Sequence, residues 1–111
     1  MAEPTLVSVF GPNATQNATD IVIKKADLVA AGLTPGATNT AESLLASIFI
    51  FAANNLTEAN RFTDQVNRNI GIEYAATDII DDGISGPFLR RAWSFMVYTD
   101  FDIPVFQADD I

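Results

Sequence analysis

The sequence predicts an α+β domain in which an antiparallel β-sheet packs on one central apolar helix at about residues 40–53. Three observations lead there. An apolar run from Leu44 to Ala53 follows a helix-start signal and is closed by Asn54-Asn55. Two runs in the last third, one from Ile70 and one from Phe88, alternate apolar and polar residues as a half-buried strand does. A turn-rich segment from Asp81 to Pro87 joins those runs, which favours a hairpin.

In chain order, Thr5-Leu6-Val7-Ser8-Val9-Phe10 is β-branched and aromatic, is stopped by Gly11-Pro12-Asn13, and reads as a strand. Residues 11–19 read as an exposed loop, rich in Asn, Ala and Thr. The triplets at Asn13, Asn17 and Asn55 match the glycan-acceptor pattern, and they are read as ordinary loop asparagines because Met1-Ala2-Glu3-Pro4 lacks the basic and apolar regions of a signal peptide. Asp20 to Lys24 is a second short strand. Lys25 to Ala31 makes one or two helical turns ended by Gly32, and Leu33-Thr34-Pro35-Gly36 turns the chain.

Asn39 precedes Glu42 by three residues, the spacing of a capping box with Asn in the place of Ser or Thr. Behind it, Leu44, Ile48 and Phe51 share one helix face, with Leu45, Phe49 and Ala52 beside them. A helix so apolar all round is expected to be covered on nearly every side, either as the central core helix or under a sheet with its far side closed by another subunit. Leu56 to Val66 extends as a more polar helix with Thr57 as a cap. From Ile70, the apolar positions are Ile70, Ile72, Tyr74 and Ala76, with Gly71, Glu73 and Thr77 between them. From Phe88 to Phe101, Leu89, Arg91, Trp93, Phe95 and Val97 form the face expected toward the core, and Arg90, Ala92, Ser94, Met96 and Tyr98 the other. The tail, residues 102–111, is expected to run over the surface. One domain spans 1–111.

Composition excludes several kinds of chemistry. The 111 residues hold no histidine and no cysteine, so Ser–His–Asp and Cys–His nucleophile systems, disulfides and the usual zinc ligand sets are out of reach. The net charge of −8 comes from fourteen acids against six bases, and eight of the acids follow Ile72, where the only bases are Arg90 and Arg91. Nucleic-acid affinity rests on Lys and Arg neutralising phosphates, so neither nucleic acid nor an anionic membrane surface is an expected partner. The longest apolar run is ten residues and interrupted by Ser47, against about 20 for a membrane span, so the chain is expected to be soluble. Charged residues make up 18%, below the roughly 25% of ordinary soluble domains; self-association or a partner would cover the surplus apolar surface.

What chemistry remains is mostly carboxylate. Asp78, Asp81, Asp82, Asp100 and Asp102 are placed at the presumed hairpin ends, where they could converge as a paired-acid site or on a calcium ion. Their spacing does not match the twelve-residue calcium loop, and solvated loop acids are the simpler reading. Lys24 and Lys25 lie near hydroxyl residues, but no strained nucleophile turn accompanies them. Gly32 to Gly36 lacks the Gly-Lys-Ser/Thr that completes a phosphate loop. One of Arg90 and Arg91, on opposite strand faces, is expected to pair with an acid such as Glu73, and the other to lie at a subunit contact. Trp93 and the phenylalanines are read as core. No catalytic, cofactor-binding or metal residue is assigned.

The stretches Ile23-Lys24-Lys25-Ala26-Asp27-Leu28, Gly32-Leu33-Thr34-Pro35 and Asn39-Thr40-Ala41-Glu42-Ser43-Leu44-Leu45 resemble small structural proteins of tailed phages, particularly those of cyanobacteria. The resemblance covers about residues 20–50, carries no catalytic signature and transfers no site. It implies a virion component made in the host cytoplasm: a capsid cement or decoration protein, or a small tail or neck protein. Its expected partners are copies of itself, in a trimer or another homo-oligomer, and a major capsid or tail protein. A carbohydrate- or cation-binding module built on the Asp78–Asp102 acids is the expectation from a different class, and a carboxylate enzyme comes third.

Overall fold

The computed structural model describes residues 3–99. It bears out the α+β class, with three short helices, a 3₁₀ helix and two antiparallel strand pairs. The first element differs from the expected strand. Helix α1 (Leu6–Phe10) forms because Thr5 Oγ1 accepts from the Ser8 N–H at 3.1 Å while Ser8 Oγ accepts from the Thr5 N–H at 2.9 Å. This reciprocal box satisfies donors that a helix start leaves open. It outweighs the β-preference of two valines and a phenylalanine, a preference that depends on packing in a sheet.

Strands β1 (Thr15–Gln16) and β2 (Ile21–Val22) pair antiparallel across a turn held by Asn17, whose Oδ1 accepts from the Thr19 and Asp20 amides at 2.9 and 2.8 Å. The strand expected over Asp20–Lys24 is thus present but two residues long, and its partner comes from within the expected loop. The 3₁₀ helix Lys25–Ala31 follows and ends at Gly32, which takes the left-handed conformation at φ 100°. Its Leu28 is the most buried large side chain, 2% exposed.

Helix α2 (Ala41–Asn55) starts one residue later than the Asn39 cap implies. Thr40 is the cap, its hydroxyl accepting from the Ser43 N–H at 3.2 Å. Asn39 instead ties the preceding turn, accepting from the Gly36 amide and donating to the Thr34 carbonyl. At the other end, the Asn55 carbonyl accepts from the Asn60 side chain at 2.8 Å and from Arg68 Nη1 at 3.0 Å. These donors complete carbonyls that a helix end leaves unpaired, with a cation at the negative end of the dipole. Helix α3 (Glu58–Thr63) is capped by Thr57 as expected, its hydroxyl accepting from the Asn60 N–H at 3.0 Å.

The expected hairpin is present as β3 (Ile70–Ile80) and β4 (Phe88–Val97). Its packing on α2 is confined to its base, where Ala52, Leu56 and Ile72 form the core with Phe49, Ala53, Ile70 and Trp93 around them. The Phe49 ring stands edge-on to Trp93, with centroids 6.0 Å apart. Packing therefore covers the inner face of α2, whose Ala52 and Ser47 are buried, while Leu45 stays 69% exposed. The expectation that this helix is enclosed on nearly every side does not hold within one chain. The radius of gyration is 18.7 Å and the long axis 59 Å, against about 13 Å for a compact domain of this length. No helix among the described residues is long and apolar enough to cross a membrane. The tail 102–111 lies outside the described residues.

Candidate functional site: a projecting hairpin arm

Residue pairs directly opposite on an antiparallel ladder share a face. On the first face lie Ile70/Val97, Ile72/Phe95 and Tyr74/Trp93, then Thr77/Arg91 and Ile79/Leu89. On the second lie Gly71/Met96, Glu73/Ser94, Ala76/Ala92, Asp78/Arg90 and Ile80/Phe88. At the base both faces are partly covered. Helix α2 covers the first through Phe49, and α3 covers the second through Glu58, whose carboxylate accepts from the Tyr98 hydroxyl at 2.9 and 3.0 Å. Arg61 stacks over the Tyr98 ring, 3.6 Å from its centre. Glu58 reaches this position because residue 71 is glycine: a β-carbon there would collide with its carboxyl group. Tyr98 closes the clamp from the strand side, its amide donating to the Asn69 carbonyl at 2.7 Å.

Beyond the base, the hairpin leaves the body. Every residue from Glu73 to Ile80 is exposed, as is every residue from Pro87 to Ala92. Eight strand residues at about 3.3 Å each give the arm a reach of roughly 25 Å. Its side chains are not those of a solvated hairpin: Tyr74, Ile79, Phe88 and Leu89 are 50%, 70%, 54% and 54% exposed, and Ile84 at the tip is 90% exposed.

A β-bulge between Tyr74 and Ala76 sets what the arm presents. Simple alternation puts Ala76 on the face of Tyr74; the extra residue, Ala75, moves Ala76 to the second face and Thr77 to the first. The physical reason lies further out. Without the bulge, Asp78 would stand opposite Leu89 and Ile79 opposite Phe88. With it, Asp78 meets Arg90 and Ile79 meets Leu89, so charge faces charge and apolar faces apolar. The ion pair is bidentate, at 2.9 and 2.6 Å. The acid opposite an arginine is thus Asp78; Glu73 faces Ser94. Arg90 beside it holds the Asp78 carboxyl below its ordinary range. Arg91, on the first face, has no ion pair among the described residues and is exposed.

The acids expected to converge do not form a site within the described residues. Asp78 is engaged by Arg90. Asp82 accepts from the Ile84 and Ser85 amides at 2.8 Å and from Gly86 at 3.3 Å, so it shapes the tip loop, and these donors lower its carboxyl below the usual range. Asp81 accepts from the Gly83 amide at 2.8 Å. Asp100 and Asp102 lie outside the described residues. Among the described residues no group of three or more acids is placed to hold a metal ion. Lys25 donates to the Gly36 carbonyl at 2.8 Å rather than to a hydroxyl. A depression of about 350 Å³ between the 3₁₀ helix and α2, lined by Leu33, Thr34, Asn39, Ser43 and Ser47, contains no titratable group.

What the arrangement can do is bind by apolar contact and by backbone hydrogen bonds along its free edges. Two features of it are hidden in the sequence. The Glu58–Tyr98–Arg61 clamp joins residues 40 apart and has no local pattern. The bulge could have been found by sliding the two strands until Asp78 met Arg90. Comparisons with protein-family models, curated proteins and solved structures found no match for the chain.

Proposed function

We propose that the chain is a structural subunit of a tailed-phage particle, acting as a capsid cement or decoration protein that bridges neighbouring subunits. The observation that carries this reading is the arm: a two-stranded hairpin, anchored at its base and lined with exposed Ile, Leu, Phe and Tyr along its length. Isolated two-stranded hairpins are marginal in water, and apolar patches of this extent mark contact surfaces. The resemblance over residues 20–50 supports the same reading, and the net charge of −8 fits a protein that sits beside a nucleic acid without holding it. The arm's reach supports a second place in the same particle, as a small tail or neck subunit whose arms span neighbours in a ring.

The test is quantitative mass spectrometry of particles purified from a lysate of the phage that carries the gene. The expected result is the chain in fixed ratio to the major capsid protein, or in a small fixed number per particle for a tail or neck site. Recovery only outside the particle fraction overturns the proposal. The carbohydrate- or cation-binding alternative has no comparable support, since its described acids are engaged by Arg90 and by loop amides.

A further inference from the structure

We propose that the first face of the arm docks on the open side of α2 in a second copy of this chain, and that each copy both gives an arm and receives one. The inference rests on the reading of the arm as an assembly element and names what it meets. The receiving surface is a shallow groove lined by Glu42, Leu45, Ala46 and Phe49. It is continued by Phe95, whose ring lies 6.5 Å from that of Phe49, and by Val97. Leu45, Phe95 and Val97 are 69%, 55% and 62% exposed.

Charge fits this occupant. The groove is apolar with one carboxylate, Glu42, in the first turn of α2. The docking face of the arm is apolar with one cation, Arg91, between Leu89 and Trp93. The other arginine of the arm is already paired with Asp78 on the opposite face. An arm laid in the groove brings Arg91 to Glu42 and Leu89 and Ile79 to Leu45 and Phe49. In a chain of charge −8, contact between copies needs such a pairing to offset general repulsion.

Area sets the stoichiometry. At roughly 170 Å² for a fully exposed large side chain, Tyr74, Ile79 and Leu89 on the docking face offer about 300 Å² and Leu45, Phe95 and Val97 about 300 Å². One arm-in-groove contact therefore buries about 600 Å², below the roughly 1,200–2,000 Å² of a stable interface, whereas two contacts per copy reach about 1,200 Å², the lower end of that range. A single arm on a single groove is too little to hold, so the assembly must close, either as an exchange between two copies or as a ring.

The chain has no cysteine, so introduced thiols report contact without background. Leu89→Cys and Leu45→Cys, both at exposed positions, are made as separate full-length proteins, mixed and oxidised. The expected product is a mixed disulfide, at least tenfold more abundant than the product of Leu89→Cys with Val66→Cys, a thiol at a position 88% exposed outside the groove. In parallel, Arg91→Glu and Glu42→Arg each weaken self-association at least tenfold by analytical ultracentrifugation, and the two variants mixed recover it. Melting temperatures near that of the parent confirm that each variant is folded. Three results overturn the inference: Leu89→Cys linking mainly to itself, association unchanged by either charge variant, or association lost only on removing residues 100–111, which would put the chain's own tail in the groove. A protein present in particles that gives no mixed disulfide overturns this inference and leaves the virion reading; a mixed disulfide with the chain absent from particles does the reverse.

Discussion

Single residues decide how the arm is attached. Gly71→Ala drives a methyl group into the Glu58 carboxylate; overpacking of this kind costs about 1–3 kcal/mol, measurable as a lower urea midpoint. Arg68 is 5% exposed and its Nη1 donates to both Asn55 oxygens at the end of α2. Arg68→Met keeps the stem and removes the donors, so stability falls by about 1.5–3 kcal/mol, read in the same titration. Neither role was legible in the sequence, because glycine in a strand and arginine in a loop each have commoner reasons to be there. By contrast, Thr57 and Gly32 were legible, since a helix cap and a left-handed terminus depend on neighbours within a few residues. The pH dependence of stability has an acid and an alkaline side. The carboxyls of Asp78 and Asp82 are lowered in the folded chain, by Arg90 and by the Ser85 amide foremost. Their contribution is therefore present above the ordinary Asp value of about 3.9 and is lost as pH falls through the lower folded values. Tyr98 is shifted upward, first because its hydroxyl donates to Glu58. Its contribution is present below the ordinary tyrosine value of about 10 and is lost as pH rises through the folded one. Tyr98→Phe should accordingly reduce the alkaline dependence while leaving the acid limb. A Tyr98→Phe protein with an unchanged alkaline limb would contradict the clamp.

At the scale of elements, what was visible in the sequence was whatever repeats along one segment. The α2 run and both hairpin strands announce themselves by period, and the antiparallel pairing follows from the short turn between them. Two elements depart from their sequence pattern for opposite reasons. In α1, a two-residue hydrogen-bonded box outweighed the β-preference of Val7, Val9 and Phe10. In β3, the alternation is correct up to Tyr74 and inverted after it, because Ala75 is an extra residue relative to β4. Deleting Ala75 keeps every paired residue opposite its present partner but removes the bulge's added twist. The expected outcome is a melting temperature within a few degrees of the parent, on the scale of about 1 kcal/mol, together with loss of self-association because the tip is re-aimed. Loss of folding instead would place the bulge among the features that hold the base.

For the whole molecule, the sequence anticipated that the apolar content exceeds what one chain can bury, and the structure locates the surplus. Most of it lies on the hairpin and at Leu45 on α2, with further shares at Val7, Ile21, Val22, Val29, Phe62 and Val66, and the total exposed surface is 8196 Å² against about 6,000 Å² for a compact monomer of this mass. The single chain in dilute solution should therefore scatter as an elongated particle with a radius of gyration near 18.7 Å and bind an apolar dye. Raising the concentration should quench the dye signal as arms become covered, and Leu89→Asp should preserve it. What could not be foreseen is that the sheet would run past its helix, since burial depends on the length of the neighbouring element and not on the strand's own pattern.

The chain's one tryptophan stands where the clamped base becomes the free arm. Trp93 is half-buried, edge-on to Phe49 on the body and to Tyr74 on the opposing strand, with centroids 5.1 Å apart in the latter case. Its indole is therefore a built-in optical reporter of the elbow. Native emission, with energy transfer from the adjacent tyrosine, will register bending or occlusion at that junction in unlabelled protein, separately from events at the tip.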